Sequence, residues 1–267
     1  MVLVWVSSRV FEFSSQNTRV TFLDVGQGDS TLIKLPGDRR ILIDAGPGSK
    51  VFKSLAKEIS FGSLNIDTIL LTHFDADHVG GVSEILRRYK VGQILITGDT
   101  NKEAVFKEIA NLAKDKAVVI RKVSAGDYLE AGNSTFQILF PNSNTIGWEE
   151  NSMSAIIKLS SGKYSFLFTG DAPKAVENYL TRIYGVGLKS DVLKVGHHGS
   201  KNSSSDIFMA DVAAEYNIVS AGLNNRYGHP NIEVINLLNK HGENILETYK
   251  VGNISFEVKN NLLQLSK

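Results

Sequence analysis

Shifting the 267-residue sequence by 124 positions brings it onto itself. Ser30-Thr-Leu-Ile-Lys-Leu35 meets Ser154-Ala-Ile-Ile-Lys-Leu159, Asp67-Thr-Ile-Leu-Leu-Thr-His73 meets Asp191-Val-Leu-Lys-Val-Gly-His197, and Ile94-Leu-Ile-Thr-Gly98 meets Ile218-Val-Ser-Ala-Gly222. One offset held through three separated segments implies two similar halves, about residues 19–100 and 134–258. Each half supplies a sheet; the sheets pack face to face and helices cover their outer faces. The expected fold is α/β (α+β), a four-layer αββα sandwich, with residues 1–267 forming one domain. The five prolines and the lack of a Pro/Gly/Ser-rich linker agree with that.

Ten runs rich in Val, Ile, Leu, Phe and Thr read as strands, and they end at Gly, Asp or Asn. They are 20–25, 30–35, 40–44, 68–72, 93–97, 136–140, 154–159, 164–169, 192–195 and 218–221. Apolar residues at three- and four-residue spacing predict helices over 80–89, 102–114, 172–184, 204–215 and 232–240. Short hairpins among the strands lead us to expect mainly antiparallel sheets. Met1–Val6 reads as a first strand, because it has neither the basic flank nor the length of a signal segment. A cytoplasmic location is the default expectation.

Composition removes several functions. With 42% apolar and 21% charged residues, the chain is not disordered. No apolar run is long enough to span a bilayer. A net charge of +1 does not mark a nucleic-acid binder by bulk electrostatics. There is no Cys, so disulfides, zinc-finger sites and thiol catalysis are excluded. Of six histidines, five fall in three short clusters.

The densest cluster is His73-Phe-Asp-Ala-Asp-His78, delivered by the apolar run Ile69-Leu70-Leu71. Four metal-capable side chains in six residues, just past a buried strand, converge readily. In an extended turn His73, Asp75 and Asp77 share one side and His78 turns away, which suits two ions. His and Asp ligands suit Zn²⁺ or Mn²⁺. The alternative is a polar helix cap in which an Asp accepts backbone N–H bonds. Asp29, in Asp24-Val-Gly-Gln-Gly-Asp-Ser30, and Asp44, in Leu42-Ile-Asp-Ala-Gly46, are candidates to support the ligands from behind. Asp171 of Thr169-Gly-Asp171 ends a strand in the second half, where a carboxylate can bridge two ions; Asp99, in a second Thr-Gly-Asp, reads as a helix cap. The repeat sets His197 on His73, so His197 is the expected ligand and His198 the expected catalytic or substrate contact. His229, in a Tyr-Gly-His-Pro turn, is a candidate general acid. Ser200, Lys201, Asn202, Asn224 and Arg226 flank these motifs as substrate-binding candidates. His241 reads as a helix cap.

In order along the chain, these motifs resemble the metallo-β-lactamase superfamily, in its ComEC-type competence-protein branch, over roughly residues 19–258. The resemblance implies the same sandwich and a metal-dependent nuclease or phosphodiesterase. Carried over, His73 and Asp75 hold one ion, Asp77 and His78 the other, Asp171 bridges, and His197 completes the second site. Asp75 stands where the superfamily usually has a second His. A third His is missing near Glu149-Glu-Asn-Ser-Met-Ser154; Asn151 is the nearest replacement. The expectation is a stand-alone hydrolase, or a fragment of a longer protein, holding one or two divalent ions (Mn or Zn) and acting on a phosphodiester such as single-stranded DNA. Asp77 would orient or deprotonate the attacking water, whose pKa a bound ion lowers from 15.7 to about 7. The rivals are hydrolysis of a small molecule (a cyclic nucleotide, a phosphocholine ester or a lactone) and a non-catalytic binding module.

Overall fold

The structure, a computed structural model, describes residues 3–5, 17–60, 63–97, 104–142, 153–241 and 244–266. Asn151 and Asp99 lie outside these residues. In chain order the first part runs β1 (Leu3–Trp5), β2 (Thr18–Phe22), β3 (Thr31–Leu35), β4 (Arg39–Ile43), α1 (Lys50–Glu58), β5 (Asn65–Leu71), α2 (Ala76–Val79), α3 (Val82–Arg88), β6 (Lys90–Ile96), α4 (Ala104–Asp115) and β7 (Val119–Lys122). The second runs β8 (Tyr128–Ala131), β9 (Ser134–Phe140), β10 (Ile156–Ser161), β11 (Tyr164–Phe168), α5 (Lys174–Tyr184), β12 (Val192–Lys194), α6 (Asp206–Val212), β13 (Tyr216–Val219), α7 (Ile232–His241) and β14 (Asn244–Glu247). The short α8 (Thr248–Val251) and the strands β15 (Ile254–Lys259) and β16 (Leu262–Ser266) follow.

The strands form two sheets, ordered β16-β15-β2-β3-β4-β5-β6-β7 and β1-β8-β9-β10-β11-β12-β13-β14. From β2 to β7 the pairings run antiparallel, antiparallel, parallel, parallel, parallel, and from β9 to β14 they run the same way. The 124-residue offset is therefore a structural repeat: α1 begins at Lys50 and α5 at Lys174, α3 at Val82 and α6 at Asp206. Both sheets are mixed, not mainly antiparallel as expected. The crossovers through α1, α3 and α4, and through α5, α6 and α7, bring each following strand in parallel to its predecessor.

Side-chain alternation builds the layers. Ile33, Ile41, Ile43 and Leu70 of one sheet meet Ile157, Leu159, Phe166 and Phe168 of the other in a common core. Their sequence neighbours Leu32, Leu42, Ile69 and Leu71 turn outward onto α1, α3 and α4. Ile156, Leu167, Leu193 and Val219 turn outward onto α5, α6 and α7. With both faces covered, these strands read as continuous apolar runs. The C-terminal ends of β4, β5, β11, β12 and β13 gather at one rim, where their loops carry the polar clusters.

Candidate metal centre

The loop after β5 leaves the strand at Thr72 and turns helical at α2, with Asp75 as its N-cap. The extended geometry expected through Asp77 therefore ends at Asp75. The helical turn brings His78 back so that its ring lies 4.1 Å from that of His73, centroid to centroid. Gly28, with φ +134°, lets the loop after β2 press against this turn; a Cβ there would lie 2.3 Å from the Asp77 carbonyl oxygen. The Asp29 N–H donates to that same carbonyl.

Three buried histidines are held by Nδ1. The Thr72 hydroxyl donates to Asp44 Oδ2 at 2.7 Å, so it accepts from His73 Nδ1 at 3.0 Å. His78 Nδ1 donates to Asp44 Oδ2 at 2.8 Å. His198 Nδ1 donates to the Ser220 carbonyl at 2.9 Å and lies 3.1 Å from Asp29 Oδ1. In each ring Nε2 faces the cluster, and each of these three Nε2 atoms is buried with no hydrogen-bond partner. Among the described residues, Asp171 Oδ1 and Asp29 Oδ1 are orphaned likewise. Asp171 itself is fixed through its N–H, which donates to Ser154 Oγ at 2.9 Å.

The orphaned atoms converge. His78 Nε2 is 3.2 Å from Asp171 Oδ1, His198 Nε2 is 3.2 Å from Asp77 Oδ2 and 3.6 Å from Asp171 Oδ2, and His73 Nε2 is 3.5 Å from Asp75 Oδ2. Two groups of ligand atoms emerge, each within 4.8 Å: Asp29, His78, Asp171 and His198, and His73, Asp75 and Asp171. Asp171 belongs to both. Buried polar atoms without partners are costly. A histidine whose Nδ1–H is engaged and whose Nε2 is left without a protein partner has the usual setting of a metal ligand. The donor set thus fits divalent metal.

Protonation follows from the crowding. Burial opposes charge on His78 and His198, but the carboxylates beside them prevail: Asp171 and Asp44 hold His78 well above its ordinary range, and Asp171 and Asp29 raise His198 to about 10. Burial also works against ionised Asp171 and Asp77; the neighbouring histidines overcome it and keep both carboxyls below their usual range. His197 and His229 are pushed down by burial.

The other expected residues surround this cluster. His197 does not join either group of ligand atoms; its side chain is 27% exposed and its Nε2 is 3.5 Å from Asp171 Oδ2, on the open side. His198 takes the buried place instead. Both residues have left-handed backbone (φ 48° and 56°), so the repeat register with His73 does not carry through the turn. His229 packs 5.8 Å from the His197 ring and stacks on Tyr227. Arg226 lies 4.8 Å above Tyr227, donates to its hydroxyl, and is near enough to feel the Asp77 charge. Lys201 and Asn224 are exposed, whereas Ser200 is buried and its Oγ accepts the Asn202 N–H. His241 is the last residue of α7 and bonds Asp206 on α6. A cavity of about 590 Å³ opens beside His229, bounded by Asn224, Asn225, Pro230, Glu247 and Tyr249 among others. The sequence reading missed Lys194, which is buried against Asp29. A charged residue ending an otherwise apolar strand was the available signal.

Comparison with known proteins agrees with this fold. ComE operon protein 3 of Bacillus subtilis is 32% identical over 94% of this chain and 34% of its own length. Competence protein ComA of Neisseria gonorrhoeae is 30% identical over 94% of this chain and 34% of its own length. The chain thus spans about a third of the curated relatives it matches. The metallo-beta-lactamase fold protein YhfI of Bacillus subtilis superposes with a TM-score of 0.60 at 13% identity, covering 91% of this chain and all of that one. Residues 23–222 match the Metallo-beta-lactamase superfamily, a stretch that includes every element carrying the His/Asp cluster, and the chain belongs to that superfamily.

Proposed function

We propose that the chain is a metal-dependent phosphodiesterase or nuclease acting on DNA or another phosphodiester. The observation that carries this reading is the trio of buried histidines with Nδ1 engaged and Nε2 orphaned around a shared Asp171. In this reading His73, Asp75 and Asp171 hold one divalent ion; His78, His198, Asp171 and Asp77 hold a second. When bound, such a pair acidifies water and neutralises the charge that builds on a phosphoryl group.

The chain's own residues set the rest. The cluster carries five carboxylates, Asp29, Asp44, Asp75, Asp77 and Asp171, against one ammonium, Lys194. Two divalent cations bring that sum to zero, and an anionic diester is then no longer repelled. Asp77 is kept ionised and is 31% exposed at the open side, so it serves to orient the attacking water and accept its proton. In this reading His229, half-buried beside His197 and pushed down by burial, donates a hydrogen bond from its ring to the leaving oxygen. Lys201 and Arg226 offer cations to flanking phosphates. The relatives named for competence favour a nucleic-acid substrate.

Hydrolysis of bis(p-nitrophenyl) phosphate and of single-stranded DNA, each with Mn²⁺, Mg²⁺ and Zn²⁺, tests the proposal. Turnover that disappears in Asp77→Ala is expected. No turnover with any of the ions, or equal turnover by the variant, overturns it.

A further inference from the structure

Lys194 ends β12 on the side that Val192 turns toward the core between the sheets, and it is 3% exposed. The repeat sets it opposite Leu70, a fully buried core residue of β5. One half therefore has a leucine where the other has an ammonium. Burying an ion in such a place is expensive unless its partners are close and well aligned. Here they are: Nζ lies 2.6 Å from Asp29 Oδ2 and donates to the Val195 carbonyl at 2.9 Å. Asp29 comes from the first half and Lys194 from the second, so the pair crosses the seam of the sandwich directly behind the cluster. The other carboxylate oxygen of Asp29, which has no hydrogen-bond partner among the described residues, is 3.1 Å from His198 Nδ1, whose hydrogen bond goes to the Ser220 carbonyl, so this contact is one of charge. A line from Lys194 through Asp29 thus ends on the ring whose Nε2 is orphaned.

The two supporting aspartates differ in how they are restrained. Asp44, behind His78, is tied by the N–H and hydroxyl of Thr72. Among the described residues Asp29 has no backbone or hydroxyl donor on its carboxylate; Lys194 is its ion-pair restraint. Asp29 also lies within 4.8 Å of ligand atoms of His78, Asp171 and His198, near enough to enter the ligand set itself. We propose that Lys194 is a positioning residue that holds Asp29 behind His198, so that Asp29 orients the His198 ring and does not ligate the metal. This rests on the metal-centre reading above.

A merely structural ion pair would behave differently from a positioning one. The test compares the wild type with Asp29→Asn, Lys194→Met and the apolar double variant Asp29→Leu/Lys194→Met. Zn²⁺ and Mn²⁺ dissociation constants are measured by chelator competition, and stability by urea unfolding. Supporting groups behind metal ligands typically contribute about 10–100-fold in metal affinity. Asp29→Asn and the double variant should lose about tenfold or more in Zn²⁺ affinity, and the double variant should do so at wild-type stability, since apolar pairs replace buried ion pairs well. Lys194→Met should shift preference toward Mn²⁺ by about tenfold, because the released carboxylate adds a hard ligand. Recovery of stability and Zn²⁺ affinity together in the double variant means a structural pair and overturns the proposal. So do Zn²⁺ and Mn²⁺ constants within twofold of wild type in Lys194→Met and Asp29→Asn. If the Lys194 variants do not fold, Asp29→Asn decides alone by the same twofold limit. A wild type that takes up no divalent ion overturns the metal reading and this inference with it.

Discussion

At Gly170 the backbone sits at φ +48°, and a Cβ there would lie 2.2 Å from Ser154 Oγ. That hydroxyl accepts the Asp171 N–H and lies 3.4 Å from His73 Nδ1. Gly170→Ala therefore acts twice. The left-handed backbone costs about 1 kcal/mol for a residue with a Cβ, and the displaced serine releases the carboxylate shared by both ligand groups. The expected outcome is loss of both divalent ions, read by metal analysis of the purified variant; full occupancy at wild-type affinity would argue against it. The adjacent histidines divide the same way. His198→Ala should reduce bound metal, and His197→Ala should leave metal content intact while lowering turnover. Equal metal loss in the two would mean that the buried and half-exposed positions do not differ in role. The sequence made His73, Asp75, Asp77, His78 and Asp171 legible because each closes an apolar strand or follows one directly. It ranked His197 above His198 as the ligand on the repeat register alone, because two consecutive left-handed residues are a property of the turn that no spacing rule encodes.

Among the elements, the repeat foretold more than periodicity did. The ten expected strands all form, but α1 was not anticipated: its buried apolar residues are only Val51 and Leu55, set in a lysine-rich stretch, too few for the period to stand out. The offset that aligns α5 with α1 was the signal that would have found it. The edge strands β7 and β16 were invisible for another reason, since their side chains are mostly solvent-facing and carry little alternation. One helix–helix contact has a pH signature. Glu177 on α5 is 1% exposed and accepts the N–H groups of Ser204 and Ser205 just before α6. Burial raises its carboxyl from 4.5 to about 7, against those two bonds. Between those values the folded chain binds a proton that the unfolded chain releases. The contribution is thus complete below about pH 4.5 and is lost as pH rises toward 7, an upper bound of about 3 kcal/mol. Urea unfolding of the metal-loaded wild type and Glu177→Gln across that range should show their stability difference drifting against the wild type as pH increases. A constant difference would remove Glu177 as the cause.

For the molecule as a whole, the consequence of the repeat is that neither half carries the whole His/Asp cluster. His73, Asp75, Asp77 and His78 come from the first half, Asp171 and His198 from the second, and the apolar layer between the sheets joins the halves beneath them. Among the described residues no helix is long and apolar enough to cross a membrane. Without metal, the surrounding carboxylates keep protons on His78 and His198 at neutral pH. Divalent ions compete with those protons for the same Nε2 atoms, so loading should expel about two protons per chain and tighten as pH rises. Titration calorimetry at pH 7 in buffers of different ionisation enthalpy measures that number directly. At an ion concentration about 100 times its dissociation constant, each site adds about 2.7 kcal/mol of stability, which for a chain of this size means a Tm higher by roughly 5 °C or more. Because the ligands straddle the seam, a chelator should lower one common transition and leave no half folded behind it. Two separable transitions, or a metal-independent Tm with no proton release, would mean that the orphaned histidines are not where the ions bind.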